Sequence, residues 1–395
     1  MILIDQPFVS DFLIKTIKAN NYSIIATDEA RKILNDNDLS WISEKEAKRI
    51  LREDPSCPLY TNSENALTWL DKHLNDSSFA RHAQLFKDKA RFRELIQNLY
   101  PEFYFRTIKL DEIPGLSIEE LPFPFVIKPS VGFFSIGVHV VKNRTDWEFA
   151  RKALNYENLK SVYPGNVLDT TTFIIEEYLE GEEFAVDCYF NKLGDAVILN
   201  ILHHKFSSGA DTSDRVYTTS RNLFLQYKDP FKDFLQEIGQ KAGIMNFPAH
   251  VELRVDETGR IRPIEINPLR FGGWCTTADL LGIATGFSPY DFYLQNEHPD
   301  YDLVFRGKED LLFSIIVLNN NSGYEPGEIS GFNYELLAQD FEKPLEIRKM
   351  DVMKYSIFGF VFTETRSGND AELNNILVSD LKKYIRLRTS QGFDE

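Results

Sequence analysis

The chain has 395 residues, 43% of them hydrophobic, which is too long for one ordinary core and apolar enough to fill two or three. Its 60 acidic residues against 44 basic ones, a formal charge of -16, argue against a nonspecific nucleic-acid binder or a protein of anionic membrane surfaces. An anionic substrate would have to be held by a few placed cations or by a metal. No apolar run approaches the roughly 20 residues that cross a bilayer, and Met1-Ile-Leu-Ile-Asp5 lacks the basic start of a secretory signal. Cys57, Cys188 and Cys275 are far apart and form no CxxC pair, which suits a reducing compartment. The expected location is cytoplasmic.

In chain order, Ile2 to Asp5 reads as a short strand, Ser10 to Ala19 as a helix and Tyr22 to Ala26 as a second strand. That alternation predicts a parallel α/β unit. The first strand runs into Gln6-Pro7-Phe8 with no glycine, so a GxGxxG dinucleotide site is not expected. Leu59-Tyr60 and the helical stretch Ser63 to Leu74 continue the pattern, giving an N-terminal α/β domain over 1–85. From Phe86 a helix opens with Lys87-Asp88-Lys89-Ala90-Arg91-Phe92-Arg93 and ends at Pro101. Next come a strand Phe125 to Pro129 that ends in Lys128-Pro129, a turn with Gly132 and Gly137, and a strand Gly137 to Val141. A helix from about Thr145 to Tyr156 follows, then a strand Thr172 to Ile175, the turn Glu176 to Gly181 and a strand Glu183 to Phe190. This order predicts a first antiparallel lobe with a helix on one face, over 86–195. A second lobe, 196–300, starts near Ala196 to Leu202, includes a helix from about Pro230 to Ala242, and closes with a hairpin. The remainder, 301–395, reads as an α+β region with strands Leu311 to Leu318 and Tyr355 to Thr363 and an amphipathic helix Ala371 to Tyr384.

The hairpin carries the most informative residues. Side chains alternate across a strand, so Glu265 and Asn267 share a face, and a turn at Thr258-Gly259 sets Glu252 opposite Glu265. Two facing carboxylates repel unless something neutralises them; a hard cation with oxygen ligands such as Mg2+ would do so, and a solvated acidic face is the alternative. Lys128 stands at the mouth of an apolar strand before a glycine-containing turn, where it could reach a phosphate or simply meet solvent. The turn has the GxxxxG half of a P-loop, but Val138-His139 stand where Lys and Ser/Thr would be, which disfavours a Walker-type NTPase. The run Glu176-Glu177-Tyr178-Leu179-Glu180-Gly181-Glu182-Glu183 could offer backbone groups to a purine edge and a carboxylate to ribose, or be an acidic hairpin turn. Arg270 suits a carboxylate or phosphoryl group beside a metal, or a salt bridge. His203, His204 and Lys205 end a strand, where they could reach a terminal phosphate or simply meet solvent, the solvated end being the ordinary reading; Lys205 is the one to test. The segment Ser207 to Arg221 reads as a substrate clamp or a surface loop. Cys275 has no partner base fixed by spacing, no HxxxH pair occurs, and GxSxG elbows are absent.

Taken in order from about Lys87 to Ala284, these pieces resemble the ATP-grasp superfamily. The resemblance implies ATP held between two α+β lobes, a Rossmann-like N-terminal domain before them, and the joining of a carboxylate to an amine or thiol. It places Lys89 and Lys128 on phosphate, and main-chain groups of Glu176 or Glu177 and of Leu179, around Tyr178, on the adenine edge. Glu183 falls on ribose, and Glu252, Glu265 and Asn267 on Mg2+, with Mn2+ as the other candidate. Arg270 is similar to the basic residue that contacts an acyl phosphate, although the usual arginine comes one residue earlier, where Leu269 stands. Phe133-Phe134 replace the small residues usual in the glycine-containing loop. The implied partners are a small-molecule carboxylate and an amine, with no nucleic acid and no membrane. Besides a carboxylate-amine ligase, a nucleotide-binding regulator without turnover and a kinase-like phosphoryl transfer are the competing readings. The region after residue 300 could complete the pocket, form a homodimer or bind a partner.

Overall fold

A computed structural model describes residues 1–131, 137–154, 172–208 and 213–388. The glycine-containing loop, with Phe133-Phe134, lies largely outside the described residues, as does part of Ser207 to Arg221.

Four very short strands, β1 (Ile2–Leu3), β2 (Ile24–Ile25), β3 (Trp41–Ile42) and β4 (Tyr60–Thr61), form a parallel sheet in the order β3-β2-β1-β4. Helices Asp11–Asn20, Asp28–Leu34 and Glu44–Glu53 alternate with them. Each starts where Ser10, Thr27 or Ser43 accepts the amide hydrogen three residues on, satisfying one of the free donors of a helix start. The second and third helices escape a reading by apolar periodicity, since Glu44–Glu53 buries only Ala47 and Leu51. Among the described residues no helix is long and apolar enough to cross a membrane.

Where one helix is expected from Lys87, the chain breaks at Asp88. Helix Ser78–Lys87 ends there, and the Asp88 carboxylate caps helix Lys89–Ile96 by accepting from the Ala90 and Arg91 amides. Lys89 thus begins a helix instead of sitting within one.

A small antiparallel sheet follows: β5 (Phe105–Lys109), β6 (Phe125–Pro129), β7 (His139–Val141) and β8 (Thr172–Glu177), in the order β5-β8-β6-β7. Helix Arg144–Ala153 covers it, and Phe125, Ile127, Trp147, Phe173 and Ile175 share its core. The large sheet has eight strands: β9 (Glu182–Phe190), β10 (Ala196–Lys205), β11 (Val216–Ser220), β12 (Phe247–Val255), β13 (Ile261–Pro268), β14 (Leu311–Asn319), β16 (Lys343–Lys349) and β17 (Ile357–Arg366). Their order is β13-β12-β9-β10-β11-β14-β17-β16, and β15 (Ile329–Phe332) pairs apart with β18 (Ile385–Leu387).

Three features depart from the reading in chain order. β9 pairs with β10 and β12, so it belongs to the large sheet and not with β8, and the turn after Glu177 is a crossing between sheets. The helix expected from Pro230 spans Arg221–Ala242, capped by Ser220; Pro230 sits inside it, and Phe224, Phe231, Phe234, Leu235 and Ile238 make one buried stripe through the proline. Beyond residue 300, β14, β17 and β16 extend the large sheet from β11, and the final helix stops at Leu377, with a separate turn Lys382–Tyr384.

The N-terminal sheet and the large sheet share one core, in which Leu3, Phe79 and Phe86 join Phe247, Ile266 and Leu269. Backbone bonds cross the same boundary, with the Thr61 amide donating to the Leu269 carbonyl at 2.8 Å. This join brings the N-terminal domain against the end of β13, beside the hairpin face that carries Glu265 and Asn267.

Candidate active site

The β12/β13 register pairs Glu252 with Glu265 and His250 with Asn267, so the four side chains share one face of the hairpin. The turn at Asp256 to Arg260, with Gly259 at φ +82°, pairs Val255 with Ile261, and a bulge at Ile264 then shifts the ladder by one residue so that Glu252 faces Glu265. Lys89 meets the face from the N-terminus of its helix, its Nζ 2.8 Å from Glu265 Oε2. Burial would push the Glu265 carboxyl up, but the Lys89 charge holds it down at about 2. Glu252 goes the other way: burial, and then the facing Glu265, push it well above the ordinary carboxylate range. A like-charge pair with one member compensated and the other not is a place for a cation. Among the described residues no three His, Cys, Asp or Glu side chains gather as a protein-only metal cage. Two carboxylates and an amide instead fit Mg2+, which commonly takes one or two carboxylates and completes its shell with water and phosphate oxygens.

Asn267 Nδ2 donates to Glu265 Oε1 at 3.2 Å, and its Oδ1 accepts from Arg270 Nη2 at 2.9 Å. The same Arg270 nitrogen lies 2.8 Å from Glu64 Oε1. Glu64 enters this site from the N-terminal domain, and nothing in its local sequence marks it; only the join between domains brings it there. Leu269, Trp274 and Cys275 all take left-handed backbone conformations, φ +59°, +58° and +59°, uncommon for such side chains. Contacts from outside the segment hold it, among them Arg348 Nη1 donating to the Trp274 carbonyl at 3.0 Å. Cys275 is buried, and burial pushes its thiol up to about 11. It stays a packed thiol at neutral pH.

Lys128 is buried near the end of β6, where its ammonium pairs with Glu176. Glu176 is buried as well and its side chain faces inward; its backbone lies in β8, paired with Phe105 and Val126, and not in the turn expected to begin there, so the crossing starts after Glu177. At that junction the Glu177 and Tyr178 amides donate to the carbonyls of Tyr104 and Pro124. The amide of Leu179, a buried residue, donates to no acceptor among the described residues, which suits a ligand acceptor.

Glu183, the second residue of β9, has both carboxylate oxygens engaged, Oε1 at 2.8 Å from His204 Nδ1 and Oε2 at 2.9 Å from Arg254 Nη2. Burial acts to raise its pKa; the His204 hydrogen bond and the Arg254 charge outweigh that and hold it low. Arg254 also bonds the Leu179 carbonyl and lies over the Tyr178 ring, 5.2 Å from its centroid. It thereby ties the crossing to Glu183. His204 pairs across the ladder with Glu183, so Lys205, one residue on, leaves the strand on the opposite side, and both line the same cavity at the strand end. There its Nζ lies 3.6 Å from Asp370 Oδ1, and His204 holds the position beside Glu183. A cavity of about 1040 Å³ at this end of the strands is lined by Tyr178, Glu183, His204, Lys205 and Arg254, together with Leu377 of the C-terminal region.

Gly181 makes the crossing fit. At φ +118°, a Cβ there would lie 2.2 Å from the Val255 carbonyl oxygen, which is backbone and cannot yield cheaply. Gly181→Ala is expected to cost about 1–3 kcal/mol, read as a lower thermal unfolding midpoint; an unchanged midpoint would contradict this packing.

The profile of the ATP-grasp domain matches residues 121–278. No curated protein matches the chain. Among solved structures, the L-amino acid ligase from Bacillus licheniformis is 18% identical, with a TM-score of 0.68 and 98% of each chain covered. N5-carboxyaminoimidazole ribonucleotide synthetase from Thermotoga maritima is 16% identical, with a TM-score of 0.61, covering 98% of this chain and 99% of that one. The biotin carboxylase from Campylobacter jejuni, solved as a β,γ-ATP complex, is 13% identical, with a TM-score of 0.61, covering 98% and 91%. At these identities the likeness is one of fold, and it spans the N-terminal sheet, the small sheet and the large sheet together. The residues that match the ATP-grasp domain, 121–278, hold Lys128, the crossing, Glu252, Glu265, Asn267 and Arg270, and the likeness in fold extends over the rest of the chain.

Proposed function

We propose that this protein is an ATP- and Mg2+-dependent ligase that joins a small-molecule carboxylate to an amine through an acyl phosphate. The observation that carries the reading is the Glu252/Glu265 pair, facing across the hairpin with Asn267 beside it and Lys89 compensating one carboxylate. When bound, Mg2+ with ATP supplies the charge neutralisation that lets a carboxylate approach the γ-phosphate. Glu252, Glu265 and Asn267 would hold the cation, or Mn2+ in its place. Lys89 and Lys128 contribute fixed positive charge for phosphate oxygens. The free Leu179 amide reads the purine edge with a backbone carbonyl of Glu176 or Glu177, and Glu183 takes the ribose hydroxyls once its bonds to His204 and Arg254 rearrange. Arg270, held between Asn267 and Glu64, faces the acyl group. No side-chain nucleophile is needed, because positioning and electrostatics carry phosphoryl transfer.

The similar structures support this reading, since they include an L-amino acid ligase and a synthetase of a carboxyamino product. The test is release of ADP and phosphate by purified protein with Mg2+ and ATP across crossed panels of carboxylic acids and amines. Turnover that needs both an acid and an amine is the expected result. ADP release that needs an acid or alcohol but no amine would move the protein to phosphoryl transfer alone, and ATP binding without turnover across the panels would make it a nucleotide-binding regulator.

A further inference from the structure

Lys128, Glu176 and Arg93 form a closed charged group in which the three residues are 5%, 3% and 1% exposed. β6 and β8 place the first two together: Val126 lies directly opposite Glu176, so Lys128, two residues along, occupies the diagonal position on the same face. Lys128 Nζ bonds Glu176 Oε1, and Arg93 Nε donates to Glu176 Oε2 at 2.9 Å. Arg93 Nη2 donates to the Ile264 carbonyl, also at 2.9 Å. Ile264 directly precedes Glu265 on β13. Arg93 follows Lys89 by four residues on helix Lys89–Ile96, so one helix face reaches both the hairpin and the small sheet. The Glu176 carboxylate therefore has both oxygens committed to cations of the two sides.

We infer that the Glu176 side chain is the positioning residue of the phosphate site, holding the Lys128 ammonium in place and, through Arg93, fixing it relative to the strand that carries Glu265. This rests on the reading of Lys128 as a phosphate-binding residue, and it gives Glu176 a role that the expected backbone contact to adenine does not. A buried ammonium stays charged and oriented only with a partner, and Glu176 is the partner present; burial pushes Lys128 down and the Glu176 charge opposes it. The group holds two cations to one anion, so an incoming phosphate meets a surplus positive charge whose position is already set.

The experiment is a double-mutant cycle on ATP affinity, measured by isothermal titration calorimetry with Mg2+, using Glu176→Gln, Lys128→Met and the double variant. Glu176→Gln in the wild-type background is expected to weaken ATP about tenfold or more, and in the Lys128→Met background to change it less than about twofold, because its effect passes through Lys128. Where ligase turnover is measurable, kcat falls in the single Glu176→Gln variant as well as affinity. Equal loss in both backgrounds, or no loss in either, overturns the inference while leaving the ATP reading intact. A wild type that does not bind ATP overturns both. Should Glu176→Gln fail to fold, Glu176→Asp keeps the charge but withdraws it by one carbon, and the same cycle is expected to show the same non-additivity; additive losses there overturn the inference equally.

Discussion

Replacing Glu265 with glutamine is expected to lower ATP turnover by at least about 100-fold, the scale of losing one preorganised charge in such chemistry, while the protein stays folded. Glutamine keeps the shape and an oxygen for Lys89 and Asn267, whose bonds to Glu265 are 2.8 and 3.2 Å. It also removes the charge that faces Glu252 across the ladder. Folding thus loses an ion pair of a partly exposed site and sheds a like-charge opposition, effects of opposite sign. The cation site, by contrast, is left with a single carboxylate. ADP release in a coupled assay, alongside the thermal unfolding midpoint, separates the two effects. Turnover within about fivefold of wild type in a folded variant, far short of that expected loss, would show that the carboxylate pair is not the cation site.

Asp279→Ala is expected to destabilise the protein by about 3 kcal/mol, the low end for breaking a buried pair, because it leaves the buried Arg348 guanidinium with the partly exposed Glu346 as its carboxylate partner. Asp279 is fully buried on helix Thr276–Thr285, with Oδ2 2.7 Å from Arg348 Nη2 and Oδ1 2.8 Å from the Tyr290 hydroxyl. Alanine leaves both donors without this acceptor. The test is a lower urea or thermal midpoint, partly restored when Arg348→Met is added, since removing both charges is far cheaper than removing one. An unchanged midpoint in the single variant would mean the pair is not a structural pin. Burial raises Asp279 to about 6 despite Arg348, above its ordinary 3.8. The folded state then takes up this proton before the unfolded state does, so the group's contribution to stability grows as pH falls from about 6 towards 3.8. Because Arg348 lies on β16 and also holds the Trp274 carbonyl, this pair fastens the region beyond residue 300 to the segment that follows Asn267.

Local pattern was enough for the α/β start, because Ser10 and the apolar alternation act within a few residues. For the hairpin it reached the right pair by an incomplete route: the two-residue period puts Glu265 and Asn267 on one face, but the turn alone would set Glu252 opposite Ile264, and a bulge there brings Glu265 to it. It was not enough for short, charged helices such as Glu44–Glu53, whose apolar face is two residues. Nor could it find helix Arg221–Ala242 whole, since a proline inside a helix reads as a start when packing is unknown. At the site, strand parity could not be read locally either: the pairing of His204 with Glu183 sets which of His204 and Lys205 stands beside that carboxylate, while Lys205 lies near Asp370 at the rim of the same cavity.

The sequence by itself determined which residue types could serve an ATP site and in what order: Lys89, Lys128, the Glu176 to Glu183 run, and Glu252, Glu265 and Asn267. The strand and turn signals are local, carried by turn chemistry and period, while the ATP roles of these residues, Lys89 above all, rest on the resemblance of their order to the ATP-grasp superfamily. Tertiary structure alone decided that β9 leaves the small sheet, that strands beyond residue 300 continue the large one, that Glu64 joins Arg270, and that Glu176 turns inward to Lys128 and Arg93. Each of these depends on partners far apart in sequence, and a contact across such separations is fixed by burial and charge compensation in the folded core, which no local stretch of chain encodes.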